Sequence, residues 1–166
     1  EKAKILFFKK EWDKAKNHLL AVQNTAPHSI ASKRSQFLLG LIHMQNENFD
    51  KAIVVFTSLL KNYPEIEDYI LFNLAKTESL NKKPDQAQQH LLKLLNRFPG
   101  TELYSESRII LAETYIHTHS KDKALEIMKE SLKTIHRSFS HRRFRTFLPD
   151  HIYKLAAHQE KMGNLK

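Results

Sequence analysis

The stretch NENFDKAIVVFTSLLKNYP, residues 46–64, spaces its apolar side chains as one face of a helix and stops at a proline. Similar text occurs upstream as EWDKAKNHLLAVQNTAP (11–27) and downstream as KPDQAQQHLLKLLNRFP (83–99). Superposing the three, and extending the match once more, places Ala15, Ala52, Ala87 and Ala124 at successive separations of 37, 35 and 37 residues. Pro27, Pro64 and Pro99 each follow their alanine by twelve. Leu19, Phe56, Leu91 and Met128 stand four residues after the alanines, on the same helical face. Two landmarks held in register mark an internal repeat, and an internal repeat of this length points to a stacked array rather than to one central core.

A second apolar segment precedes each of the last three alanines, in FLLGLIHMQ, ILFNLAKTESL and RIILAETYIH. Each unit therefore reads as a helical hairpin. Gly40, Ala75 and Ala112 lie twelve positions before Ala52, Ala87 and Ala124, so both helices of a hairpin carry a small side chain where their axes cross. A bulky residue at such a crossing would overpack it, at a cost of about 1–3 kcal/mol. The proline lacks an N–H and disfavours helical geometry in the residue before it, which ends the second helix. Composition agrees: among 166 residues there are three glycines and five prolines, with 41% hydrophobic and 27% charged residues. That balance favours helices and excludes a disordered chain.

These residues resemble the tetratricopeptide repeat family. Its pattern of a leucine, a small residue, an aromatic, Ala, Phe and Pro is matched by Leu39, Gly40, Phe49, Ala52, Phe56 and Pro64. The next unit matches with Leu74, Ala75, Ala87, Leu91, Leu94 and Pro99, with Pro84 in place of the aromatic. The fourth matches with Leu111, Ala112, Tyr115, Ala124 and Met128, while His136 stands where proline is expected. The resemblance implies an all-α fold, a right-handed α-α superhelical solenoid of tetratricopeptide-type helical hairpins. The expected units are 1–28, 29–64, 65–100 and 101–136, then an insertion over 137–149 and the first helix of a fifth unit over 150–163. The incomplete units at both ends imply that the array is a fragment of a longer solenoid.

In this family the first helices line a concave face that receives a protein or peptide. By register the groove positions are Arg34, Phe37, Leu41, Met44, Tyr69, Phe72, Lys76, Ile109 and Glu113. Aromatic residues at helical spacing serve equally well as packing between repeats, and Phe37 and Phe72 are open to that reading. The paired Lys and Asn that some family members use to clamp a carboxylate are not reproduced: Asn73 and Lys76 have Leu38 and Leu41 at the matching places one repeat earlier.

The net charge of +9 is uneven. Residues 121–166 hold 11 Lys/Arg against 5 Asp/Glu, a net +6. Arg137, Arg142, Arg143 and Arg145, interleaved with Phe139, Phe144 and Phe147, form a candidate contact for a polyanion, and a solvated linker explains them as well. A one-base-per-repeat RNA code needs a constant step, which the unequal separations break, so no sequence-specific nucleic acid is expected. The histidines form no ligand cluster, and no H-E-x-x-H, phosphate-binding glycine loop or G-x-S-x-G occurs. Neither catalytic residue, metal nor cofactor is expected. There is no cysteine, and no apolar run approaches the roughly 20 residues of a transmembrane helix.

Tyr63-Pro64, Phe98-Pro99-Gly100-Thr101 and EIEDYILFNLAKT are similar to repeats of bacterial cell-envelope proteins, above all the helical N-terminal region of soluble lytic transglycosylases. That resemblance implies a soluble periplasmic scaffold attached to a peptidoglycan-cleaving domain, with glycan strands as a partner. Glu106-Ser107 lacks the surroundings of that enzyme's catalytic glutamate. The alternative is a protein–protein adaptor of the envelope, such as an outer-membrane assembly or division-coordination repeat protein.

Overall fold

A computed structural model describes the backbone of residues 2–137 and side chains as far as Ser131. Within this range the chain forms eight α-helices: α1 (Lys2–Phe8), α2 (Trp12–Thr25), α3 (Ile30–Gln45), α4 (Phe49–Asn62), α5 (Glu67–Leu80), α6 (Pro84–Arg97), α7 (Tyr104–His117) and α8 (Lys121–Arg137). A short 3₁₀ turn, Pro64–Ile66, precedes α5. Every helix packs chiefly against its neighbours in sequence, so the molecule is an all-α solenoid of successive hairpins. Arg137 is the last residue of α8; the rest of the expected insertion, the helix expected over 150–163, and Arg142, Arg143 and Arg145 lie outside the described residues.

The boundaries follow from local chemistry. Helices α2, α4 and α6 end two residues before Pro27, Pro64 and Pro99, each after 14 residues. The pre-proline residues Ala26, Tyr63 and Phe98 leave helical geometry, with ψ of 67°, 66° and 59°, as the proline ring demands. Their N–H groups still donate to Val22, Leu59 and Leu94 four residues back. With His136 where proline would stand, α8 is still helical at Arg137, where the described residues end. Asp13, Asp50, Asp85 and Asp122 occupy the first turn of each second helix, two residues before its alanine, where a carboxylate complements the positive end of the helix dipole.

Within each hairpin the chain turns through one left-handed residue: Lys10, Glu47, Lys82 and His119, with φ between 58° and 60°. At the second turn Glu47 N–H donates to Met44 O and Asn48 N–H to His43 O; at the third, Lys82 N–H donates to Ser79 O and Lys83 N–H to Glu78 O. This is the Schellman arrangement, which satisfies helix-end carbonyls and here recurs at all four turns. No glycine occupies any of these positions, although glycine adopts this conformation at least cost.

The repeat register is also the packing register. Ala15, Ala52, Ala87 and Ala124 are all fully buried, and Leu19, Phe56, Leu91 and Met128 fill the space beside them. Gly40 shows how tight the crossing is, because a Cβ built there would lie 2.6 Å from Phe56 Cε1. The hairpins with Ala75 and Ala112 at that position carry the slimmer Leu91 and Met128 instead of phenylalanine. In the first hairpin Ala3 takes the same place, twelve residues before Ala15, and packs with Leu6 and Phe7 against Ala15, Leu19 and Ile42.

Candidate binding groove

Successive first helices touch, α3 with α5 and α5 with α7, whereas α2, α4, α6 and α8 have their substantial contacts with first helices and not with one another. The array therefore curves toward the odd-numbered helices, which line its inner face. Two register positions recur on those helices. One lies eleven residues before the register alanine and is Lys4, Leu41, Lys76 and Glu113; the other lies eighteen before it and is Arg34, Tyr69 and Glu106.

At the junction of α5 with α7 these positions are joined. Lys76 Nζ donates to Glu106 Oε1 at 3.1 Å and stands 5.4 Å from the centre of the Phe72 ring. Nearby, the Tyr69 hydroxyl donates to Glu102 Oε1, and Thr101 Oγ1 donates to Asp68 Oδ2 at 2.7 Å. The hydrogen bond to the Glu102 carboxylate holds the Tyr69 phenol above its ordinary pKa of 10.0, since losing the proton would set two negative oxygens together. On the second helices Gln88 donates to Thr118 at 3.1 Å, and Asp50 accepts from Asn81 and Lys83, both at 2.9 Å. The Lys83 ammonium keeps the Asp50 carboxyl below the usual carboxylate range.

The groove positions read from the sequence separate into two sets. Arg34 is exposed, Tyr69 keeps 36% of its surface, and Lys76 and Glu113 are half-buried, so these four present side chains at the inner face. Phe37, Leu41 and Met44 pack against the cluster of Ala52, Phe56, Leu59, Tyr63, Ile70 and Leu74. Phe37 meets Phe56 edge to face, with ring centroids 5.8 Å apart. Phe72 and Ile109 are only 5% and 7% exposed, the former within the core shared by α5, α6 and α7.

At the opposite end, α1, α2 and α3 enclose an open hollow of about 790 Å³, closed below by Tyr63 and Ile66. Lys4 and Phe8 from α1 and Ile30, Arg34 and Leu38 from α3 line it. The sequence reading named Arg34, Phe37 and Leu38 of this lining but not Lys4, Phe8 or Ile30. For Lys4 the signal was present, eleven residues before Ala15 as Lys76 is before Ala87. For the hollow as a whole there was none, because its volume depends on how far α1 stands from α3. Among the described residues no group of acidic and histidine side chains is arranged to hold a metal, and no helix is long and apolar enough to cross a membrane.

A tetratricopeptide repeat family model matches residues 34–65 and 69–101, in the second and third hairpins. Among solved structures the chain is similar to the nearly identical TPR-like repeats of a Podosopora anserina protein described as a kinesin light chain. One crystal structure, of a single-residue variant of that protein, superposes with a TM-score of 0.71 at 14% identity over 98% of this chain and 93% of that one. A second gives 0.70 at 14% identity over 96% and 92%. At this identity the likeness concerns the fold, an all-α solenoid of tetratricopeptide type. No curated protein sequence matches the chain.

Proposed function

We propose that this chain is a binding scaffold whose inner face receives an extended segment of a partner protein, with Arg34, Tyr69, Lys76 and Glu113 as the contacting side chains. The observation that carries the reading is the line of partly exposed side chains on α3, α5 and α7, set on hairpins that match tetratricopeptide repeats. Repeats of this type generally bind proteins or peptides, and stacked hairpins offer a pre-formed trough that costs the partner, not the scaffold, its conformational entropy. Phe37, Leu41, Met44, Phe72 and Ile109 support the trough from beneath. The experiment is a peptide-library selection on the 166-residue chain, repeated with Tyr69→Ala and with Val54→Glu on the outer helix α4, where Val54 is 69% exposed. Selected peptides should lose at least about tenfold in affinity with Tyr69→Ala and nothing with Val54→Glu. Peptides that respond only to the Val54 substitution would place binding on the outer face and end the proposal.

The narrower reading, a periplasmic scaffold of a lytic transglycosylase with glycan strands as partner, rests on the resemblance around Tyr63-Pro64 and Phe98-Pro99. We rank it, with the alternative envelope adaptor, below protein binding as such. Cosedimentation with purified peptidoglycan over a salt series separates the two, since a glycan scaffold must pellet at low salt.

A further inference from the structure

Nine residues before its register alanine, each first helix carries a side chain about half a turn round from both groove positions: Leu6, His43, Glu78 and Tyr115. In the third hairpin this position is neutralised from within, since the buried Glu78 pairs with His90 Nδ1 on α6 at 2.7 Å. In the fourth, Lys123, one residue before the alanine, sets its Nζ 5.6 Å from the centre of the Tyr115 ring. In the second, the same two positions hold Lys51 and His43. A further cation arrives from the preceding hairpin. Lys16 follows its alanine by one, the position from which Gln88 donates across the junction to Thr118 near the end of α7 at 3.1 Å. Burial first, and then the ammonium groups of Lys16 and Lys51, hold the His43 imidazole below its ordinary pKa of 6.5. The charged groups that act on the ring are thus Lys16 from α2 and Lys51 from α4, and no carboxylate of the described residues joins them. Asp50 turns instead to Asn81 and Lys83, and Glu11 is taken by Lys14. Neither Lys16, Lys51 nor His43 has an ion-pair partner among the described residues.

We infer that Lys16, His43 and Lys51 form a site for a dianionic oxyanion, the phosphate of a monoester, on the flank of the array and apart from the groove. Three helices supply the donors. The exposed lysines of α2 and α4 each bring an ammonium, and α3 brings an imidazole that is half-buried and so held in place. A dianion among them gains charge-assisted hydrogen bonds to both lysines and reverses the field at the ring, so that His43 takes up a proton and becomes a third cationic donor. Its several oxygens answer separate cations at once, which a single carboxylate does less well. His43 also lies in the last turn of α3, where a cation complements the helix dipole. That role requires the charged ring, and in the free protein burial and two lysines oppose the charge; a bound anion removes part of the opposition.

The test is made on the 166-residue chain at an ionic strength held constant with sodium chloride. A fluorescein-labelled peptide of neutral residues with one phosphoserine should bind, by fluorescence anisotropy, at least about tenfold more tightly than the same peptide with serine. Lys16→Ala with Lys51→Ala should abolish that preference while the unfolding midpoint holds, since both side chains are exposed. Lys61→Ala with Lys129→Ala takes the same charge from exposed positions elsewhere and should leave the preference intact. Inorganic phosphate that displaces the phosphopeptide assigns recognition to the phosphate group alone and admits a small phosphorylated molecule as ligand. Phosphate that does not displace it assigns recognition to a phosphorylated side chain, and both results support the site. Sodium sulfate gives the local readout, because it stays dianionic across the range in which histidine titrates. The His43 ring proton resonance, assigned by its loss in His43→Gln, should titrate at higher pH in sulfate than in chloride of equal ionic strength. With the two lysines replaced it should titrate alike in both salts. A phosphopeptide no tighter than its serine form, an equal loss in the Lys61 and Lys129 variant, or a His43 titration indifferent to sulfate overturns the inference.

Discussion

Where α5 meets α7, Lys76 of one helix reaches Glu106 of the next at 3.1 Å; where α1 faces α3, the same register positions hold Lys4 and Arg34 beside an open cavity. The junction of α5 with α7, third along the array, is further tied by Tyr69 to Glu102, Asp68 to Thr101 and Gln88 to Thr118. The first is held by apolar contacts of Ala3, Leu6, Phe7 and Trp12 with Leu19, Leu39 and Ile42. A repeat array thus keeps one packing rule in every hairpin, a small residue crossing a buried alanine, while the residues at its junctions change more freely. The packing rule makes the trough; the junction residues decide where it is closed and where it remains available.

The largest effect should come from overpacking the crossings. Ala87→Phe enters a crossing bounded on both sides by neighbouring hairpins and should destabilise the chain by about 1–3 kcal/mol in denaturant unfolding. Ala15→Phe should cost less, because α1 can yield into the cavity beside it. Equal losses would mean that the first junction is as closed as the third. The next effect concerns Gly40, whose replacement by alanine sets a methyl against the Phe56 ring. That clash outweighs a gain in helix propensity of about 1 kcal/mol, leaving a net loss of similar size. Adding Phe56→Leu recreates the Ala75 and Leu91 combination of the next hairpin, so the double variant should be more stable than the sum of the single losses by about 1 kcal/mol. Strict additivity would show that Gly40 and Phe56 do not limit each other.

Much of this architecture was legible because each landmark has a local cause. The alanines and prolines report helix crossing and helix ending, two events settled within one hairpin, and the buried Ala15, Ala52, Ala87 and Ala124 lie where their spacing places them. The left-handed turns were not legible. Lys10, Glu47, Lys82 and His119 share a spacing of 37, 35 and 37 with the alanines, yet none is a residue type that announces positive φ. There the helix-end hydrogen bonds and the packing of the hairpin impose the conformation on whatever side chain is present. The groove was legible in part. Register put Arg34, Tyr69, Lys76 and Glu113 on the inner helices, but it could not show that Phe72 and Ile109 would be drawn into the core. Pairings such as Lys76 with Glu106, thirty residues apart, depend on the offset between hairpins, which no single repeat encodes.

The smallest effect bears most directly on the contrast between the junctions. Lys76 and Glu106 keep 39% and 36% of their side-chain surface in solvent, so water and salt screen their attraction. A double-mutant cycle with Lys76→Ala and Glu106→Ala should therefore give a coupling below about 1 kcal/mol, shrinking as salt is added. The pair's consequence is then one of occupancy rather than stability: it takes a cation out of the groove at little cost to the fold. The converse cycle at the first junction, Arg34→Glu with Lys4→Ala, should give a coupling of opposite sign and up to about twice the size, since Arg34→Glu turns a repulsion into an attraction. A coupling of zero there, with a measurable one at the third junction, would mean that α1 stands too far from α3 for charges to meet, and that the cavity separates the two helices electrostatically as well as sterically.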